Sequence, residues 1–302
     1  MPPRLSVIIL NWQRPDNTLH ALELAAASHY SPLNLLVVDN GADPHLARQI
    51  AHHFPAVTLL STGRNLGYAG GNNVGIHHAL VQGADYVLLL NDDVFVTPDA
   101  FSHLVAAVHI DKQIAAVGPK VLVDENPNML WAAGPAFPRQ QALPPDNGRF
   151  DQPTECEYVV GCCILLKRAA LECVGLLDPA FFAIHEEWEW CYRARQAGYR
   201  IRYEPAAVVR HHLDRSLTAG HSPLYHYLYL RNLLRFQQRY GQAAAWPHPL
   251  KNGLQLWYCE VQFIRSRGSK KWQRIWGASW GLLDFLRGRY GPPPPPLQGS
   301  AR

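Results

Sequence analysis

Several short groups of side chains in this 302-residue sequence have the types and spacing for chemistry on a charged substrate. Asn91-Asp92-Asp93 follows directly on the apolar run 86–90 (YVLLL) and precedes Val94-Phe95-Val96. A short apolar run bounded by polar residues is the pattern of a buried strand in a parallel sheet. Ligands of open α/β sheets bind outside the carboxyl ends of such strands. Two adjacent carboxylates there repel each other and are costly to desolvate unless a cation lies beside them. A hard divalent cation carrying substrate phosphates meets that need. The competing reading is a turn or helix cap, because Asn-Asp-Asp starts turns and Thr97-Pro98-Asp99 opens the next helix.

A second acidic group is His185-Glu186-Glu187-Trp188-Glu189-Trp190. On the helix expected there, Glu186 and Glu189 share a face and Glu187 points elsewhere. Acidic residues in a first helical turn satisfy the macrodipole. Alternatively, one of these carboxylates is a general base facing Asp93 across a cleft. His211-His212 follows a strand pattern and can add an imidazole to a metal site, although such a pair is also ordinary surface. Asp39 closes the second strand pattern, where an acidic residue commonly bonds a nucleotide's ribose or base. Gly67, Gly70, Gly71 and Gly75 read as a loop that lets backbone approach a phosphate, or simply as a flexible turn.

The elements that must position these groups follow from the apolar runs. Strands are expected at 5–10, 34–38, 57–61 and 86–90, alternating with helices at 15–27, 44–53 and about 75–81. Alternation of this length argues βαβ units and a parallel, doubly wound sheet. A helix at 98–108, a strand at 115–123 and a buried strand at 158–166 follow, then a short helix at 168–174 and a helix at 186–197. Short strands at 200–204 and 207–210 complete the set. Residues 131–155, rich in Pro, Gly and Asn, read as a long surface excursion. The pattern is helical from 223: 225–240, 250–267 and 271–286, broken at Trp246-Pro247-His248-Pro249. Pro292–Pro296 and the remaining tail are expected to be disordered. The expected domains are therefore 1–222, 223–290 as a helical appendage, and the tail 291–302.

Composition is that of a folded protein, 48% hydrophobic and 17% charged, with a net charge of +4. That charge is too weak to argue for nucleic acid, though it suits phosphate-bearing substrates or an anionic membrane. The six cysteines form no CxxC pair, which suggests reduced thiols in a reducing compartment. No apolar run approaches the ~18 residues of a membrane span, and the first apolar run breaks at Asn11, so a cytoplasmic protein is expected. The helical appendage mixes Trp257, Trp272, Trp276 and Trp280 with Arg265, Lys270, Lys271, Arg274 and Arg287. Such a stretch either lies at a bilayer surface or packs its aromatics on the catalytic domain.

Taken in order, NLGYAGGNNVG, LLLNDDV, FFAIHEEWEWCYRARQAGYRI and VVRHH, with Ser216 beyond, resemble glycosyltransferase family 2, and within it bacterial rhamnosyltransferase-like members. The likeness covers about residues 4–240. It implies a GT-A fold, a Rossmann-like mostly parallel sheet flanked by helices, with a nucleotide-diphosphate sugar, a divalent metal (Mg²⁺ or Mn²⁺) and inversion at the anomeric carbon. Carried over by position, it puts Asn11 and Asp39 in the nucleoside pocket, with Asn65, Gly67 and Asn72 beside the donor. Asn91 and Asp92 hold the donor or shape the turn, and Asp93 is the metal ligand. His211 falls near metal and diphosphate. Glu187 is the presumed base with Glu186 as second choice, and Arg231 and Asn232 meet acceptor or diphosphate.

The commoner family pattern has Asp at positions 187 and 189, where this chain has Glu, and Asn91 replaces a strict first acidic residue. A carboxylate misplaced by about an ångström can cost ~10²-fold in rate. The expected reaction is nonetheless a single displacement in which one carboxylate takes the acceptor's proton. A hydrolase needs a spaced acid–base pair instead. Sugar-phosphate nucleotidyl transfer would call for a GxGTR-type first loop, and Asn11–Asp16 has none. A catalytically degenerate binding or scaffold subunit is the other reading. The resemblance favours a dTDP-sugar donor, with UDP- or GDP-sugars open, and a saccharide or lipid-linked acceptor of cell-surface polysaccharide.

Overall fold

The computed structural model describes residues 2–134, 145–212, 222–241, 249–265 and 270–298. Ser216 and Trp246-Pro247-His248 lie outside the described residues. The chain groups into two compact units, Met1–Leu177 with Glu187–His212, and Asp178–Glu186 with Leu213–Arg302. The stretch Asp178–Glu186, inside the first domain by the sequence boundary, thus groups with the helices.

The first unit opens with β1 (Leu5–Asn11), α1 (Pro15–Ala26), β2 (Leu33–Asp39), α2 (Pro44–His53), β3 (Thr58–Ser61), α3 (Gly67–Val81) and β4 (Tyr86–Asn91). These strands pair in parallel in the order β3-β2-β1-β4. Then come β5 (Val94–Val96), α4 (Ala100–His109), β6 (Ile114–Val123), β7 (Asn126–Ala133), β8 (Thr154–Cys156), β9 (Cys163–Lys167), α5 (Arg168–Val174), α6 (Glu186–Gln196) and β10 (Arg200–His211). The sheet continues β4-β9-β6-β10-β5, with β7 beside β6 and β8 beside β10. β9 is antiparallel to both β4 and β6, and β10 runs parallel to β6. Six strands therefore share one direction, as the expected α/β class requires. Alternate side chains of each strand face opposite layers. Val7, Ile9 and Val37 pack with Leu22, Leu46 and Phe101 of α1, α2 and α4. Ile8, Leu36 and Val38 pack with Ile76, Leu171 and Trp190 of α3, α5 and α6.

Several expectations need correction. The glycine-rich stretch is mostly helix, because α3 begins at Gly67. Its glycines serve packing: a Cβ on Gly71 would stand 2.6 Å from Leu10 Cδ1, and one on Gly75 would stand 2.7 Å from Ile8 Cγ2. Only Gly67, at φ +74°, uses the left-handed region. The surface excursion is in part strand, since Trp131 lies within β7 and Thr154–Cys156 within β8. The expected strand at 158–166 begins only at Cys163. The two short strands near 200–210 are one, β10, carrying a register shift between Glu204 and Val208.

The second unit holds α7 (Pro223–Tyr240), α8 (Pro249–Arg265), α9 (Lys271–Leu286) and α10 (Pro295–Gln298). Helices α7 and α9 meet almost backbone to backbone. A Cβ on Gly277 would stand 2.1 Å from the Pro223 carbonyl oxygen, and one on Gly281 would stand 2.5 Å from that of Tyr227. Leu230, Leu234, Ile264, Leu282 and Phe285 fill the core between helices. The tail is ordered at Pro295–Gln298, where Leu297 is buried against Leu224, Tyr227 and Leu228. At the start of the tail, Gly291 donates to the Ala180 carbonyl and accepts from Arg231 Nη1.

Candidate functional site

Asp93 is buried in the turn between β4 and β5, at the carboxyl end of the parallel strands. The fold brings His211 to it. His211 stands opposite Val94 in the β10–β5 register, and the His212 amide donates to the Asp93 carbonyl at 2.8 Å. His211 Nε2 lies 3.7 Å from Asp93 Oδ1, while Arg14 Nη1 donates to Asp93 Oδ2 at 3.1 Å. The Trp131 ring lies parallel to the imidazole, centroids 4.3 Å apart and planes 10° apart. Burial pushes the His211 pKa down, and the Asp93 carboxylate pulls it part of the way back. A neutral imidazole is the form that binds metal.

Four polar atoms here are buried without a hydrogen-bond partner: Asp93 Oδ1, both ring nitrogens of His211, and Asn91 Oδ1. Such atoms are costly unless a ligand satisfies them. Asp93 and His211 fit a divalent cation in that respect. Among the described residues no group of three or more His, Cys, Asp or Glu side chains surrounds a metal position. Two protein ligands are enough where phosphate and water oxygens complete an octahedron. A cation at Asp93 would share the carboxylate with Arg14.

Asn11 and Asp39 end neighbouring parallel strands in register. Asn11 Nδ2 donates to Asp39 Oδ1 at 3.1 Å, and Asn11 Oδ1 accepts from Thr18 Oγ1 and the Arg14 amide. Asp39 also accepts from the Gly41 and Asp43 amides, which fixes the turn into α2. Beside them Asn40 is a hub: its amide group bonds Asn65, Gly67, Leu66 and Thr62. Asn65 Oδ1 accepts from the Gly67 amide at 2.8 Å, which orders the turn leading into α3. Asn72 is buried in α3, donates to the Tyr68 carbonyl, and leaves its Oδ1 without a hydrogen-bond partner.

Glu187 lies in the first turn of α6, packed close to Gly161. Burial raises its pKa, and the amides of Glu187, Gly161 and Trp188 offset part of the rise. The buried Cys162 thiol is pushed well up, first by burial, then by Cys163, and after these by Asp93 and Glu187. One neighbourhood thus holds both carboxylates. Cys162 is tied to the NDD turn through the Asn91 amide, which donates to its carbonyl at 2.9 Å. Glu189 has a different task. Both its oxygens accept from Arg193 Nε at 2.9 Å, and Arg193 also donates to the Val174 and Leu176 carbonyls.

Within the second unit Glu186 is buried at the end of a segment whose Phe182, Ile184 and His185 have positive φ. Arg231 and Asn232 hold that segment, and the expected contact with acceptor or diphosphate gives way to this role. Asn232 Nδ2 donates to the carbonyls of Phe181, Ala183 and Ile184 at 2.9, 2.7 and 2.7 Å. Arg231 is fully buried, donating to Phe181, Gly291, Tyr227 and Asn232. Sequence reading missed Arg14, Trp131 and Asn40. Arg14 carried a signal, being a cation in the first βα turn; Trp131, in a stretch read as loop, carried none.

Residues 2–222 match the family model described as "Glycosyltransferase like family 2". The chain belongs to that family. This family 2 chain is 26% identical over 235 residues to a low-salt glycan biosynthesis hexosyltransferase of Haloferax volcanii, covering 76% of this chain and 73% of that one. It is 30% identical over 207 residues to a galactofuranosyltransferase of Mycobacterium tuberculosis, covering 66% of each chain. It is 26% identical over 219 residues to an N-acetylglucosaminyl-diphospho-decaprenol L-rhamnosyltransferase of the same organism, covering 65% of this chain and 71% of that one. In fold it is similar to a mannosyltransferase from Pyrobaculum calidifontis solved with GDP-Man and Mn²⁺. The TM-score is 0.58 at 18% identity, over 99% of this chain and 78% of that one. The fold class is thus GT-A, and no helix among the described residues is long and apolar enough to cross a membrane.

Proposed function

We propose that this family 2 chain transfers a sugar from a nucleotide-diphosphate sugar to a hydroxyl of a saccharide or lipid-linked acceptor, with inversion, in cell-surface polysaccharide synthesis. The observation that carries the reading is the buried Asp93–His211 pair, with Asp93 Oδ1 and His211 Nε2 left without hydrogen-bond partners at the carboxyl end of the sheet. A divalent cation, Mg²⁺ or Mn²⁺, held by Asp93 and His211 would neutralise the leaving diphosphate as a Lewis acid. Arg14 adds a fixed positive charge on the same side. Glu187, in its ionised form, accepts the proton of the acceptor hydroxyl as that oxygen attacks the anomeric carbon. Its burial-raised pKa makes it a stronger base than an exposed carboxylate.

The relatives' names support a hexose donor, and the likeness to rhamnosyltransferases favours rhamnose carried on dTDP, with UDP- and GDP-sugars next. The chain would act in the cytoplasm at the membrane that carries the acceptor. The Arg14–Asp93 ion pair favours one second reading, a binding subunit in which a guanidinium stands in the cation's place. Incubation with Mg²⁺ or Mn²⁺ and a panel of nucleotide sugars separates the two. Release of nucleoside diphosphate supports transfer; donor binding without release in the presence of acceptor glycans supports the binding subunit.

A further inference from the structure

Helices α8 and α9 turn large apolar groups outward. On α9, Trp272 is 83% exposed, Trp276 43%, Leu283 41% and Leu286 44%. At 3.6 residues per turn these four fall within about 80° of the helix circumference. The opposite side of α9 carries Gly277, Gly281 and Phe285 and is buried in its own unit, so the outward stripe is not core. On α8, Leu254 and Tyr258, one turn apart, are 47% and 57% exposed. Trp257 Nε1 donates to Ser279 Oγ at 3.0 Å and holds the two helices together.

The charge on this face has one sign. Glu260 and Asp284 are the only acidic residues between positions 249 and 290. Both are buried, bonded to His226 at 2.8 Å and to Tyr227 at 2.9 Å. The exposed ionic groups on and beside the two helices, among the described residues, are Arg265, Lys270, Lys271, Arg287 and Arg289. A second copy of the chain would bring like charges together across such a face. A surface of anionic lipid offers the complement: tryptophan favours the headgroup boundary, and each nearby Lys or Arg adds electrostatic attraction.

We propose that the outward face of α8 and α9 docks on an anionic lipid surface, Trp272 and Trp276 entering the headgroup layer. It deepens the reading of a lipid-linked acceptor and rests on that reading only for its purpose. Co-sedimentation of the full chain with phosphatidylcholine vesicles, with and without phosphatidylglycerol, tests it at low and high salt. The chain should bind the anionic vesicles and release them as salt rises. Lys270→Glu with Lys271→Glu, and separately Trp272→Ser, should each weaken binding by ~10-fold or more, with donor-dependent diphosphate release unchanged. Trp272 is so exposed that its loss leaves the fold intact. Failure of the wild-type chain to bind anionic vesicles, equal binding by both variants, or a dimer that Trp272→Ser disperses would overturn the proposal. In each case intact diphosphate release would leave the transferase reading standing.

Discussion

Arg14 Nη1 sits 3.1 Å from Asp93 Oδ2, while His211 Nε2 faces the other carboxylate oxygen at 3.7 Å. The carboxylate that the motif assigns to a metal therefore already has a cation of its own. Arg14→Ala would leave Asp93 buried beside a neutral imidazole. Breaking one partner of such a pair costs ~3 kcal/mol or more. The variant should melt lower than wild type, and Mn²⁺ should raise its melting temperature more than it raises that of wild type, by mass action on the freed carboxylate. Thermal shift with and without Mn²⁺ is the measurement. Equal Mn²⁺ shifts in the two proteins would mean that Arg14 and metal do not share Asp93.

Trp131 lies flat on His211 and fixes the plane of the imidazole. Trp131→Ala frees the ring, and misplacement of the imidazole proposed to hold the cation should lower kcat by roughly 10- to 100-fold. Trp131→Phe keeps a stacking plane and should restore most of the rate. Equal losses in the two variants would point to general destabilisation instead.

Asn232 Nδ2 shares its two N–H donors among three carbonyls of one strained segment, and the Phe181 carbonyl also accepts from Arg231 Nη2. Asn232→Ala leaves them buried without that donor, at a cost of ~3 kcal/mol. Urea unfolding followed by circular dichroism should show the midpoint falling. A change below ~1 kcal/mol would contradict the role given to Asn232.

Burial raises the Glu187 pKa, so the folded chain holds this proton more tightly than the unfolded chain does. Stability from this group is therefore full below the ordinary carboxyl value of 4.5 and is lost as pH rises through the raised value. Glu187→Gln removes that cost. The variant should melt above wild type at neutral pH, and the difference should close in acid. A variant less stable than wild type at neutral pH would show that the carboxylate is held for structure.

Much of the fold was legible because α/β units announce themselves in alternating apolar runs, and β1 to β4 lie close to where those runs end. The site was legible where adjacency carries it, as in Asn91-Asp92-Asp93 and Glu186-Glu187. Long-range placement was legible only through the family resemblance, which set His211 near the metal assigned to Asp93. Nothing local says that β10 returns antiparallel to β5 and sets His211 beside Asp93, or that Trp131 of β7 covers it. Close packing misled too, because Gly71 and Gly75 look like a loop when their use is to let a helix lie on β1. Arg231 and Asn232 have ligand-binding chemistry, yet backbone carbonyls take it up.

In the proposed reaction Glu187 takes the proton from the acceptor while Asp93 anchors the donor. Glu187→Gln tests it most directly, with donor affinity measured by calorimetry and turnover by nucleoside diphosphate release in the presence of acceptor. Donor affinity should stay within about twofold of wild type while turnover falls by ~10²-fold or more. Turnover close to wild type in this variant would contradict that role for Glu187.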